Sequence, residues 1–475
     1  MKKGSPTIIV ILALLIVFVL SQLPLSRWTG GAVKDFSLFS DILREKPMAD
    51  TDSTATAADE ATEQIDPELL AAMAEEEKPA SVSTPARPAD PLKAPDSLLS
   101  QPIDTIIHPV KAPRQGSLVI IEDYTAAQAG LVQLRHALRS GSRARIAVVG
   151  DSYIEGDIFT QDLRDRLQTT YGGEGVGYVS MHTDFPGFRR SVRQGGSGWK
   201  TFTANKKAER RYLDLAEQYA TPTGSATSTY HGTTAYNTTR QWSRSRFLFI
   251  APDDALISVK TGSGEWQERN INGADSVQCI EISGTTDDFA LRTSSTSLIG
   301  LGVWLDGNTG VSVDCMSSRG FSGITLTRIN PDLCRQMSAT IDYRLIILEF
   351  GINAMSAKQK NYTVYSNRMV EVINHVRQCY PRADILLMGV GDRGEKRGGV
   401  VKSMATASAM IAAQRDAARR AQCLFWDTRE AMGGEGAVVE WSSAGLINKD
   451  YIHMTHKGGA RLATALFEAL QHNLQ

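Results

Sequence analysis

The chain has 475 residues, of which 42% are hydrophobic and 22% charged, with a formal net charge of -1 at pH 7. The length calls for more than one folded unit, and the composition is globular rather than disordered or fibrous. A near-neutral charge gives no electrostatic case for a nucleic-acid partner.

Lys2 and Lys3 precede an apolar run at 8–20, weakly extended by Leu23 and Leu25. A membrane span takes about 20 residues, so the run is slightly short for one. No small-x-small cleavage pattern follows it, which favours an uncleaved signal anchor or transmembrane helix at 7–25 behind a cytoplasmic tip at 1–6. The positive flank keeps that tip inside and sends the bulk across. The expected location is therefore the cell envelope: anchored in the inner membrane, with the folded part in the periplasm or on the extracytoplasmic side. Residues 26–116 are mostly rich in Ala, Thr, Glu, Asp and Pro and read as a disordered acidic and proline-rich linker. Five cysteines, Cys279, Cys315, Cys334, Cys379 and Cys423, show no paired spacing. Most read as buried free thiols, with one bridge open in an oxidising compartment, rather than as a disulfide framework or a zinc site.

Order is expected to resume at 117, with a short strand at 118–122 and a helix at 126–140. A buried strand at 146–149 ends at Gly150, and a helical pattern runs through Leu163 and Leu167. From about 186 to 310 the helical period disappears. Short β-like runs at 246–250, 255–259, 277–282 and 298–305 alternate with Gly, Asn, Asp, Ser and Thr turns, which predicts an inserted β-sandwich of jelly-roll type. Strands at 310–316, 345–351, 385–390 and 424–426 then alternate with helices at 369–380, 404–420 and 459–472. That alternation predicts a parallel sheet covered by helices on both faces, formed by 117–185 and 311–475.

Four polar blocks fall at strand ends or before the last helix. They are Gly150-Asp-Ser152, Ser318-Arg-Gly320-Phe-Ser-Gly323, Glu349-Phe-Gly351-Ile-Asn353 and Asp450-Tyr-Ile-His453. Strand C-terminal ends are where functional groups converge in an open α/β sheet. A serine on a strand-to-helix turn is placed to attack a carbonyl. His453 would take its proton, and Asp450 would orient the imidazole. The backbone N–H groups of Ser152 and Gly323 and the side-chain amide of Asn353 would receive the oxyanion. His456, one helical turn on, has no aspartate three residues before it and reads as a satisfied or substrate-facing histidine. Asp392 after its strand could line the cleft but reads first as a solvated loop residue. Trp199, Trp242, Trp266 and Trp304 read mainly as core, although a tryptophan can stack on a sugar ring.

The ordered set Gly-Asp-Ser, Gly, Gly-x-Asn and Asp-x-x-His resembles the SGNH (GDSL-type) hydrolase superfamily. The resemblance covers about 117–185 and 311–475 and implies a three-layer α/β/α flavodoxin-like fold. It also implies Ser152 as nucleophile, His453 as base, Asp450 as its partner, and Gly323 and Asn353 in the oxyanion hole. Gly320 competes with Gly323, which better matches the family's run of glycine and threonine. Ala354 stands where an acidic residue often follows the asparagine. Within the superfamily the chain looks most like peptidoglycan O-acetylesterases, which carry a carbohydrate-binding-like β domain after the serine block. That implies a serine esterase acting on an acetylated polysaccharide or peptidoglycan, with no metal or organic cofactor. A lipase or thioesterase, an acetyltransferase using the same serine, and a non-catalytic glycan-binding envelope protein are the competing readings.

Overall fold

The computed structural model describes residues 114–205 and 208–475. The expected cytoplasmic tip, the anchor and the linker up to 113 lie outside the described residues. The linker's last residues differ from expectation. Arg114–Gln115 pairs with Leu118–Val119, and Arg114 binds Glu430 at 2.9 Å through Nε. Among the described residues no helix is long and apolar enough to cross a membrane.

The α/β part comprises β1 (Glu122–Asp123), α1 (Val132–Arg139), β2 (Ala144–Gly150) and α2 (Thr160–Tyr171). The chain then passes through nine further strands: β3 (Gly177–Val179), β4 (Val192–Thr203), β5 (Gln218–Gly232), β6 (Trp242–Ala251), β7 (Ala255–Thr261), β8 (Gln267–Ile271), β9 (Ala274–Thr286), β10 (Asp288–Thr293) and β11 (Ile299–Asp306). It returns as β12 (Val311–Ser317), α3 (Pro331–Met337), β13 (Tyr343–Glu349), α4 (Thr363–Cys379), β14 (Asp384–Met388), α5 (Ala407–Arg420), β15 (Leu424–Trp426) and α6 (His456–Leu474).

The first sheet has the order β12-β2-β13-β14-β15-β1, parallel except for β1. Its central strands are apolar at nearly every position because both faces are covered. Side chains alternate along each strand, so each strand feeds two cores. Ile146, Val148, Leu345 and Ile347 pack with Leu134 of α1, Leu163 of α2 and Leu462 of α6. Ala147, Val149, Ile346 and Leu348 pack with Met369 and Ile373 of α4 and Met410 of α5. The architecture is thus three layers, α/β/α.

The inserted β-rich region is antiparallel throughout. Its nine strands join in one antiparallel sheet, with central order β8-β7-β10-β5-β11-β6-β9 and with β3 on β11 and β4 on β5. Its two halves meet through a single pairing, Ala220 with Gly300. The sheet encloses a core containing Trp242, Phe247, Phe249, Tyr230 and Phe289. Gly177–Val179 belongs to this sheet, so the change of texture begins before residue 186.

The two parts are joined by buried charge. Arg145 of β2 binds Asp314 of β12 through Nη1 at 2.9 and 3.0 Å, and it also binds Asp306 of β11. Arg246 of β6 binds Asp306 Oδ1 at 2.5 Å. Asp314 further accepts from Trp304 Nε1 at 3.0 Å and from the Tyr343 hydroxyl at 2.8 Å. All four charged side chains are at most 1% exposed. Removing Asp306 leaves the buried Arg246 without its carboxylate partner, at a cost of about 3–5 kcal/mol. Asp306→Leu is therefore expected to lower unfolding stability in urea by about that amount. A loss below about 1 kcal/mol would show that this network does not hold the parts together.

Candidate active site

The strands β12, β2 and β13 end level. Ser317 pairs with Gly150, and Gly150 with Glu349. The loops that leave these ends carry the first three polar blocks, so the register alone brings them side by side. A Cβ on Gly150 would lie 2.5 Å from the Glu349 carbonyl oxygen and 2.8 Å from Glu349 Oε2. Glycine is needed there because the neighbouring strand already fills the space.

The fourth block arrives through α6. Thr455 caps the helix by accepting from the Gly458 N–H at 3.2 Å. A Cβ on Gly459 would lie 2.0 Å from the Ile158 carbonyl oxygen. The helix start is therefore pressed against the turn that follows the serine. The helix begins at His456, three residues earlier than the sequence pattern implies.

Ser152 Oγ lies 2.9 Å from His453 Nε2, and His453 Nδ1 lies 2.8 Å from Asp450 Oδ2. The other Asp450 oxygen accepts the backbone N–H groups of Ile452 at 2.8 Å and His453 at 3.0 Å. Partial burial works to raise the Asp450 carboxyl. The hydrogen bonds from His453 and Ile452 outweigh it and hold the group below its usual value. An ionised carboxylate at Nδ1 keeps the proton there and leaves the Nε2 lone pair facing the serine hydroxyl. His456 instead lies 2.8 Å from Gln161 Nε2 through its Nδ1.

Gly323, at φ 89°, precedes a short 3-10 turn and packs on Phe350, whose Cγ would lie 2.7 Å from a Cβ placed there. Gly320 has open space around its Cα. Neither the Ser152 N–H nor the Gly323 N–H is bonded to another group among the described residues. The Asn353 amide is placed differently from the expectation of a free donor. Its Nδ2 donates to Asp151 Oδ2 at 3.0 Å and to the Phe321 carbonyl at 3.0 Å. That amide ties the second and third blocks to the first.

Two buried carboxyls behind the serine were missed in the sequence. Asp151 is 0% exposed and accepts from the Tyr153 N–H at 2.9 Å as well as from Asn353. Burial pushes it up to about 7, against the pull of the Tyr153 N–H and His453. Glu349 closes the strand beside it, and its Oε2 is buried with no hydrogen-bond partner among the described residues. Burial, and then the charge of Asp151, push Glu349 well above the carboxylate range. The sequence signal for Glu349 was a charged residue ending an uninterrupted apolar strand. Asp392 also departs from expectation. It is buried and accepts from Arg429 at 2.9 Å, Ser403 at 2.7 Å and the Val438 N–H at 2.9 Å. Cys279 is exposed, and the other four thiols are buried and free. Trp199, Trp242 and Trp304 are core residues, and Trp266 lies under Lys260 and Arg292. Among the described residues no cluster of three His, Cys, Asp or Glu could hold a metal.

Ser152, His453 and Asp450 form a relay of the kind that ester hydrolysis by a serine requires. The profile of the GDSL-like lipase/acylhydrolase family matches residues 293–461. That span holds Gly323, Asn353, Asp450 and His453 and starts beyond Ser152. A solved structure described as a peptidoglycan O-acetylesterase is similar at 23% identity and a TM-score of 0.62, over 74% of this chain and 99% of that one. A protein from Bacillus subtilis matches at 15% identity and a TM-score of 0.29, over 63% of this chain and 98% of its own. A family two carbohydrate esterase from Cellvibrio japonicus matches at 9% and 0.26, over 60% and 98%. Comparison with curated proteins gives no match. Over residues 293–461 the chain is thus similar to the GDSL-like lipase/acylhydrolase family, and its fold is similar to that of the O-acetylesterase structure.

Glu349 generates a pH prediction. Its folded pKa lies above the 4.5 of an unperturbed group, so its contribution to stability is full below 4.5 and is lost as pH rises. Glu349→Gln removes that loss. Urea midpoints should show the variant more stable than the parent at pH 7.5, with the gap shrinking toward pH 4.5. A pH-independent gap would contradict the assignment.

Proposed function

We propose that this protein removes O-acetyl groups from a cell-envelope carbohydrate, with peptidoglycan as the first choice, through a covalent acetyl–Ser152 intermediate. The observation that carries this reading is the continuous chain from Ser152 Oγ to His453 Nε2 and from His453 Nδ1 to Asp450. In the first half-reaction the Ser152 oxygen attacks the acetyl carbonyl while its proton passes to His453 Nε2. Asp450 stabilises the resulting imidazolium without taking its proton. The Ser152 and Gly323 N–H groups receive the oxyanion, and Asn353 joins them by exchanging its bond to the Phe321 carbonyl. His453 then protonates the departing sugar oxygen. Water, deprotonated by the same imidazole, releases acetate and frees the serine.

The substrate class is supported by the similarity to a structure described as a peptidoglycan O-acetylesterase and by the β-rich region spliced in after the serine block. We place the reaction on the extracytoplasmic side on the strength of the positively flanked apolar run at 8–20.

Purified protein is expected to release acetate from O-acetylated peptidoglycan and from a small aryl acetate. Ser152→Ala should abolish release. Asp450→Asn should lower kcat by up to about 10⁴-fold with the fold intact, because the imidazole loses its enforced tautomer. Release by Ser152→Ala equal to that of the parent would remove the mechanism. Rates that rise with acyl chain length would favour a lipase or thioesterase, and glycan binding without turnover would favour a binding protein.

A further inference from the structure

A cavity of about 220 Å³ opens one turn beyond Ser152. Glu155, on its wall, donates its N–H to the Ser152 carbonyl at 3.3 Å. Ser317, also on the wall, ends the strand paired to Gly150. The segment joining β3 to β4 contributes Phe185 and Phe188, and a Cβ on Gly156 would lie 2.5 Å from the Phe188 ring. Ser152 and His453 are not among its lining residues, so the space is separate from the one the acetyl carbonyl must occupy.

Phe185 is 66% exposed and Phe188 38% exposed. Among the described residues the other large exposed hydrophobics, Val132, Leu256, Val400 and Val439, are aliphatic, and none lines this cavity. Two exposed aromatic rings together on one cavity wall are a costly arrangement for a soluble surface and mark an interaction site. The segment carrying them is anchored at its far end. Arg189 donates Nε to Asp157 Oδ2 at 3.1 Å, Nη1 to the Tyr178 carbonyl at 2.8 Å and Nη2 to the Val176 carbonyl at 2.9 Å. Ser191 donates to the same Asp157 oxygen at 2.6 Å, and Arg164 binds Asp157 at 2.6 and 2.9 Å. Burial works to raise Asp157, but Arg164 and Arg189 outweigh it and hold the carboxyl at about 2. It is a structural charge that anchors the end of the segment next to Phe188.

We infer that this cavity is a sugar subsite. It takes a pyranose ring of the acetylated glycan, with Phe185 and Phe188 as the stacking platform and Glu155 and Ser317 facing the ring hydroxyls. The inference rests on the proposed esterase activity and adds the feature that selects a glycan over other acetyl esters. The volume is below the roughly 300–1,000 Å³ of pockets that enclose drug-sized ligands, which suits one ring rather than a lipid chain or a folded cofactor. The face of an aromatic ring is electron-rich and attracts the weakly positive C–H face of a sugar, while hydroxyls at the sugar edge need polar partners. The cavity supplies both.

The test compares kcat/KM for an O-acetylated peptidoglycan fragment with kcat/KM for a small aryl acetate. In Phe185→Ala and Phe188→Ala the ratio of the two should fall roughly fivefold to tenfold, mainly through KM for the glycan. Phe185→Tyr should restore most of it, and Leu256→Ala, at another exposed site, should leave it at the parent value. Equal losses on both substrates, or no change in the ratio, would overturn the subsite. If the parent hydrolyses neither substrate, the esterase reading fails by itself. The subsite is then decided by calorimetric titration of de-acetylated peptidoglycan fragments into Ser152→Ala. Binding that weakens with Phe185→Ala supports it, and no binding overturns it.

Discussion

The site depends on three parallel strands ending at one level. Because Ser317 and Glu349 are both register partners of Gly150, the two flanking loops each start one strand spacing from the serine turn. That spacing works only if the middle strand ends in a residue without a side chain. The Glu349 carbonyl and carboxylate occupy the place where a Gly150 Cβ would go. Everything downstream inherits the arrangement: the serine turn after Gly150, the Gly323 turn after Ser317, and the Asn353 turn after Glu349.

The same crowding explains the buried carboxyls. Asp151 N–H donates to the Glu349 carbonyl at 3.3 Å, so the two acids sit behind the serine in one low-dielectric space. Both are pushed toward the neutral form by burial. Asp151 meets this cost by accepting hydrogen bonds from Tyr153 and Asn353. Asn353 is thereby oriented as well as supplied, and its amide links three loops that share no covalent neighbour. The helix α6 closes the set from the other side, since Gly459 permits contact with the serine turn and so places His453 against Ser152.

Much of this was legible in the sequence. The strand-to-helix turn at Ser152, the later blocks and the alternation of strands and helices are local patterns, and local patterns survive in a linear reading. Asp450 and His453 are three residues apart, so their pairing was also readable. What depended on distant pairing was not. That nine β strands form one sheet is decided by the single pairing of Ala220 with Gly300, residues 80 positions apart by number. That Asn353 is held by Asp151, and that Glu349 lies over Gly150, follow from register rather than from spacing along the chain. Asp392 looked like a solvated loop residue because Arg429, Ser403 and Val438, which bury it, come from other segments. The aromatic wall at Phe185 and Phe188 carries no periodic pattern. It becomes visible only when Arg189 folds that segment onto Asp157.

The central claim is that Ser152 carries the acyl group between the two half-reactions. The most direct measurement is to mix the protein with an acetyl ester, quench it in acid and map the acetylated peptide by mass spectrometry. The account predicts one acetyl group on Ser152, appearing before steady state and absent in Ser152→Ala. Turnover with no acetyl on Ser152, or with the label on another residue, would contradict it.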